Sequence, residues 1–164
     1  GRYQIEWQFI GFSLPGQLER VSAAIFGRET ERGRVRILEA AEEVRDYLRQ
    51  TMQALVANMV ESLTPGADGG KRKFFESTLT KLTRFLDTFS TRNLADDTDL
   101  AALVDEARNL TSGLTAEQLT GNKKVSNDTL RAAVRTGAEQ LKGKLEVLTV
   151  SSTTRTIVLD DEAA

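Results

Sequence analysis

Apolar and polar residues alternate along the first fourteen positions of the chain. The apolar residues fall first on odd and then on even positions: Tyr3, Ile5, Trp7 and Phe9, followed by Ile10, Phe12 and Leu14. A period of two is typical of a strand with one buried face. The change of phase predicts a bulge near Phe9–Gly11, and Pro15–Gly16 ends the predicted strand.

The longest helical pattern runs from Arg34 to Leu63. Its apolar positions are spaced by three or four residues: Ile37, Ala41, Val44, Leu48, Met52, Leu55, Met59 and Leu63. This spacing predicts one continuous helix, about 45 Å long at about 1.5 Å per residue, which ends before Pro65. A short helix is predicted over Gln17–Phe26, and Gly27 and Gly33 weaken the helical tendency between the two.

Four further helices are predicted downstream from the same periodicity and from capping residues. They cover Phe75–Asn93, a segment from Asp96 to Gly113, Thr115–Thr120, and a last long helix that begins at Ser126 or Asn127. The aspartates before the second of these helices could suggest a calcium loop. However, a loop counted from Asp97 has Ala102 and Arg108 where an EF-hand needs glycine and glutamate, so helix capping is favoured.

The tail Thr153–Leu159 is rich in Thr, Ile and Val, which predicts a second strand. A lone strand leaves its backbone groups unpaired, so we expect the two terminal strands to pair, with Trp7 and Ile157 in one apolar layer.

The predicted fold class is therefore mainly α: about five helices bundled around one long helix, with a two-stranded antiparallel ribbon formed by the N- and C-terminal segments. We expect residues 1–164 to form a single domain with a frayed tail at 160–164. The start at Gly1 indicates the C-terminal part of a longer chain.

Composition narrows the chemistry that the chain can support. Its 164 residues carry a net charge of −2 and include no cysteine and no histidine. Disulfides, thiolate or imidazole metal ligands and His- or Cys-based catalysis are therefore excluded, and we predict no enzymatic activity, no cofactor and no metal site. No apolar run approaches the roughly 20 residues that cross a bilayer, so we predict a cytoplasmic protein with no membrane contact.

The glycine-rich stretch "LTPGADGGKRKFFESTLTKL" at 63–82 invites comparison with a phosphate-binding loop. A P-loop needs a preceding strand, four residues between its glycines, and a hydroxyl after the lysine. Here Gly66 and Gly70 are one residue too close, Arg72 takes the place of the hydroxyl, and a helix precedes the loop. The pattern predicts a turn between two helices instead.

The basic corner Lys71–Arg72–Lys73 is followed by two phenylalanines. It could grip a nucleic-acid backbone while an aromatic ring stacks on a base. The alternative, a solvated corner with Phe75 in the core, is favoured because the chain as a whole is not basic. An exposed Phe74 would instead indicate a protein contact.

The long helix also carries an apolar residue, Tyr47, that lies outside its main apolar stripe. We therefore predict that the surface near Arg34–Tyr47, or the face around Phe74, stays exposed and serves as a docking site.

Several blocks of the sequence resemble a bacterial and phage family known only as a domain of unknown function, the DUF3150 group. The blocks are "WQFIGFSLP" at 7–15, "LTPGADGGKRKFFESTLTKLTRFLDTFSTRNL" at 63–94, "DLAALVDEARNL" at 99–110 and "TRTIVL" at 154–159. The resemblance implies helical companions of MoxR-type AAA+ ATPases and of von Willebrand-type (VWA) metal-binding proteins. It implies no catalytic residue, and it implies a further helical region before Gly1.

The leading functional hypothesis is a non-enzymatic interaction, scaffold or adaptor module, accessory to an AAA+ ATPase system or self-associating. Its candidate interaction residues are Lys71, Arg72, Lys73, Phe74 and Tyr47. The alternative is a nucleic-acid-binding accessory domain that uses the basic corner. A third alternative is a hydrolase built on carboxylates alone.

Overall fold

The computed structural model describes residues 23–67, 69–120 and 127–154, with side chains described from 25 to 150. Five helices lie in these ranges: α1 (Ala23–Leu63), α2 (Glu76–Arg92), α3 (Thr98–Thr111), α4 (Ala116–Thr120) and α5 (Asp128–Thr154). The chain divides into two compact units, Gly1–Ala41 and Glu42–Ala164, and α1 contributes residues to both. The mainly helical part of the predicted fold class is confirmed.

Helix α1 contains the whole of the predicted helix 34–63 and begins eleven residues earlier, at Ala23. It runs through Gly27 and Gly33, where the sequence predicted a weak point. A glycine in a helix costs only about 1 kcal/mol relative to alanine, so two of them do not interrupt a helix of this length. Residues 23–26 of the predicted short helix 17–26 therefore belong to the start of α1. Residues 17–22 lie outside the described residues.

The unit 42–164 is organised around one apolar core. Helix α3 packs against α5, α2 against α3 and α4, and α4 against α5. The buried apolar side chains of α1 in this core recur every three or four residues: Leu48, Met52, Val56, Met59 and Leu63. Helices α2, α3 and α5 each bury a stripe of the same period, led by Leu86, Val104 and Leu145.

The N-terminal ends of α3 and α4 are closed by the polar residues that the sequence predicted as caps. The Asp97 side chain accepts a hydrogen bond from the Leu100 amide at 3.1 Å, which confirms capping at the start of α3. At α4, Thr115 and Gln118 form a reciprocal capping box with N–O distances of 2.9 and 3.2 Å. Between α1 and α2 the chain turns at Gly69, whose φ of 73° suits glycine.

The predicted two-stranded ribbon is wrong. The described residues contain no strand, and Thr153 and Thr154, where the second strand was predicted to begin, belong to α5. β-Branched residues lower helix propensity by only a few tenths of a kcal/mol, and an established helix extends readily through them. Thr149 in this part of α5 donates its hydroxyl to the Leu145 carbonyl oxygen at 2.8 Å, a bond made within the helix. The first predicted strand, Trp7 and Ile157 lie outside the described residues.

Candidate protein-interaction site

A buried ion pair joins three helices in the unit 42–164. The Arg49 side chain on α1 donates to both carboxylate oxygens of Asp97, at 2.6 and 3.0 Å, and to the Leu148 carbonyl oxygen of α5 at 3.1 Å. Arg49 is 7% exposed and Asp97 is 4% exposed. Burial alone would raise the pKa of Asp97, but the hydrogen bonds from Arg49 and from the Leu100 amide outweigh it and lower that pKa below its usual value. The ion pair therefore holds the helices together in its charged form.

A second buried arginine, Arg131, binds carbonyl oxygens. Its guanidinium donates to Leu119 at 2.7 Å, to Ser62 at 3.1 Å and to Arg72 at 3.2 Å. Burial lowers the pKa of Arg131. The cation satisfies carbonyl oxygens at the ends of α1 and α4, where the helix dipole favours a positive charge. Both buried arginines thus have structural partners within the fold.

The three cations of the basic corner each have an intramolecular contact. Lys71 Nζ lies 2.6 Å from Asp128 Oδ1, and Arg72 Nη1 lies 3.2 Å from Glu61 Oε1. Lys73 Nζ lies 5.3 Å from the centroid of the Phe75 ring, which is a cation–π distance. The acidic partners offset part of the positive charge that a phosphate backbone would need.

The two phenylalanines lie opposite to the sequence-based expectation. Phe74 is 2% exposed and belongs to the core, whereas Phe75 is 54% exposed. The apolar periodicity of α2 predicted that Phe75 is the first core residue of the helix. In the structure, Phe75 precedes the helix and has extended torsion angles (φ −95°, ψ 136°). In an extended segment neighbouring side chains point to opposite sides, so burial of Phe74 turns Phe75 outward. Phe74 is therefore inaccessible to a partner, and Phe75 is the exposed aromatic residue at this corner.

Large apolar side chains on α1 are exposed, as the sequence predicted for the region 34–47. In the unit 1–41, Val35, Ile37 and Leu38 are 43%, 49% and 55% exposed. In the unit 42–164, Tyr47 is 65% exposed. The exposure of the candidate residue Tyr47 makes it available for contact, although its role remains a prediction.

A groove runs along one face of α2. Its volume is about 710 Å³, and a smaller cavity of about 470 Å³ adjoins it at Glu76 and Glu117. The α2 residues that line it are spaced by three or four from Glu76 to Thr88, and Leu114 to Glu117 form the opposite wall. Exposed Phe75 lines the smaller cavity. We did not predict this groove, because only the position of α4 beside α2 creates it.

The described residues offer no cluster of three or more acidic side chains that could hold a metal ion. Nor is any helix in the described ranges long and apolar enough to cross a membrane. No family model, curated protein or solved structure matches the chain, so its resemblance to the DUF3150 group stays a prediction.

Proposed function

We propose that this chain is a non-enzymatic interaction module in which α1 binds a protein partner. The observation that carries the proposal is the exposure of Val35 and Leu38, which lie three positions apart and therefore on the same face of α1. Burial of a whole aliphatic side chain contributes about 1.5–3 kcal/mol, so covering the exposed half of both residues supplies a gain of about that size. We call Val35 and Leu38 the α1 patch.

Charged side chains surround the α1 patch. Arg34, Arg36 and Glu39 are exposed, and among the described residues they form no ion pair. Protein interfaces commonly combine an apolar centre with a charged, solvated rim. This arrangement favours a partner whose own apolar residues are flanked by charges of both signs.

The chemistry of the unit 42–164 supports a binding role over catalysis. The described groups with shifted pKa values are Arg49, Asp97 and Arg131. All three are held in buried hydrogen bonds between helices, whereas catalytic groups with shifted pKa values are expected in a cleft. We take the partner class from the resemblance described above, which implies a MoxR-type AAA+ ATPase.

Affinity capture with purified components tests this proposal. A MoxR-type ATPase encoded beside this chain should be retained by the wild-type chain, and Leu38→Glu should abolish retention. Val147→Glu is the matched control, because Val147 is an exposed apolar residue on a different helix, 73% exposed on α5. Both variants should melt at the wild-type temperature. Equal retention by wild type and Leu38→Glu, or no retention of the ATPase at all, would contradict the proposal.

A further inference from the structure

The groove along α2 has the length and shape of a segment-binding site. Its α2 wall extends from Glu76 to Thr88, a distance of about 18 Å at about 1.5 Å per residue. Partly buried Leu79, Leu114 and Ala116 contribute apolar surface. A helix of about three turns, or a shorter extended peptide, matches this length.

The charges that face the groove are mainly acidic. Glu76, Asp87 and Glu117 line it together with a single cation, Arg84. None of these four forms an ion pair within the described part of the chain. Lys73, in the adjoining cavity, lies over the Phe75 ring. Carboxylates left without an internal partner are available to a ligand.

Two of the four threonines in the wall add further hydrogen-bond acceptors. Thr83 and Thr88 use their hydroxyl hydrogens within α2, donating to the Leu79 and Arg84 carbonyl oxygens at 3.0 and 2.9 Å. Their remaining lone pairs can only accept hydrogen bonds. These two threonines add acceptors to those of the three carboxylates, whereas Arg84, Thr80 and Thr115 are the side-chain donors of the wall. The carboxylates are the charged acceptors that complement a ligand rich in donors.

We propose that the α2 groove binds a basic segment of a partner protein, with a Lys or Arg side chain between Glu76 and Glu117 and an apolar side chain against Leu79 and Leu114. Lysine and arginine carry only donors and fit the carboxylates of the wall. Phe75 borders the same end of the groove and adds an aromatic contact. The acidic wall repels nucleic acid and acidic peptides. This inference rests on the proposed interaction role but uses a surface separate from the α1 patch.

Selection from a phage-displayed library of random 12-residue peptides tests this proposal on the full chain. Enriched peptides should carry an excess of Lys and Arg. Fluorescence anisotropy with the synthesised peptides should show about a tenfold loss of affinity for Glu76→Gln/Glu117→Gln, the loss expected for two exposed ion pairs. Glu43→Gln/Glu139→Gln makes the same charge change on exposed residues outside the groove and should bind like wild type. Raising salt from about 50 mM to about 0.3 M should weaken binding.

A second variant keeps the test decisive if removal of the first-turn carboxylates affects folding. Thr80→Arg places a cation and added bulk inside the groove at an exposed position, and Arg is a better helix former than Thr. It should also abolish peptide binding.

Any of four results would overturn the inference: no peptides are enriched, acidic peptides are enriched, single-stranded poly(dT) binds preferentially, or wild type and both groove variants bind with equal affinity. If the ATPase is captured through α1 while the groove selects nothing, only this inference fails; if neither binds, the interaction role fails as well.

Discussion

Arg49 on α1 and Asp97 at the first turn of α3 form a buried ion pair, with Nε and Oδ2 separated by 2.6 Å. Asp97 also caps α3 through the Leu100 amide, and the Asn93 side chain accepts from the Asp97 amide at 2.9 Å. The Asp97 carboxylate thus connects α1 with the start of α3, and the Asp97 amide is bonded within the loop between α2 and α3. Because both side chains are buried, removal of either one leaves an uncompensated charge.

We expect Arg49→Met to lower the free energy of unfolding by about 3–5 kcal/mol, since Asp97 would remain buried without its cation. Asn is a good N-cap, so Asp97→Asn removes the charge and preserves capping of α3. The double variant Arg49→Met/Asp97→Asn should lose less than the sum of the single variants. Urea unfolding followed by circular dichroism measures the cycle; additive losses would show that the two side chains act independently.

The lowered pKa of Asp97 predicts how stability depends on pH. The unfolded chain binds a proton at Asp97 at higher pH than the folded chain does, so this group stabilises the fold above its unfolded pKa of about 4. That contribution should be lost as the pH falls through the lower, folded pKa. Asp97→Asn should show a smaller loss of unfolding free energy than wild type between neutral pH and the acid range. Parallel curves for the two proteins would contradict this assignment.

The two phenylalanines of the corner predict opposite responses to truncation. Phe74→Ala removes a buried ring and should cost about 3–5 kcal/mol of unfolding free energy. Phe75→Ala removes a half-exposed ring and should cost less than about 1 kcal/mol. Thermal and urea unfolding of the two variants makes the comparison. A larger loss for Phe75→Ala would restore the sequence-based assignment that placed Phe75 in the core.

Two glycines of α5 provide a matched pair for testing how closely α5 packs on α3. A Cβ at Gly137 would lie 2.7 Å from Leu110 Cδ1, whereas a Cβ at Gly143 would meet nothing within 4 Å. Gly143→Ala should stabilise the chain by about 0.5–1 kcal/mol through helix propensity. Gly137→Ala should gain less, because Leu110 must rotate away, and Gly137→Val should destabilise. Equal gains for the two alanine variants would mean that the helices are farther apart than described.

Periodicity and capping chemistry predicted most of the helical fold. The stripe through Met52 and Met59 identified α1, and the aspartates before α3 identified its cap. Patterns of three and four residues are local, so a single sequence carries them. The ribbon prediction failed because it weighed the β-propensity of Thr153 and Thr154 above the extension of an existing helix.

The candidate site was less accessible to sequence reasoning, because its features depend on contacts between distant residues. Arg49 and Asp97 are 48 positions apart, and neither residue type signals burial. The burial of Phe74 depends on where α2 begins, and a shift of one residue exchanges the two rings. Val35 and Leu38 are exposed within the region 34–47 where the docking surface was predicted, and the docking role stays a prediction. Ile37, the first residue of the predicted apolar stripe, is 49% exposed, so the stripe is not buried at that end of α1.

Hydrogen–deuterium exchange on the complex tests the interaction role most directly. On addition of the MoxR-type ATPase, amides of α1 around Val35 to Leu38 should exchange more slowly, because a partner that covers the α1 patch suppresses local opening of the helix. Leu38→Glu should show wild-type exchange when alone and no slowing when the ATPase is added. A complex that forms without slower exchange in this part of α1, or a chain that shows no change at any ATPase concentration, would contradict the proposal.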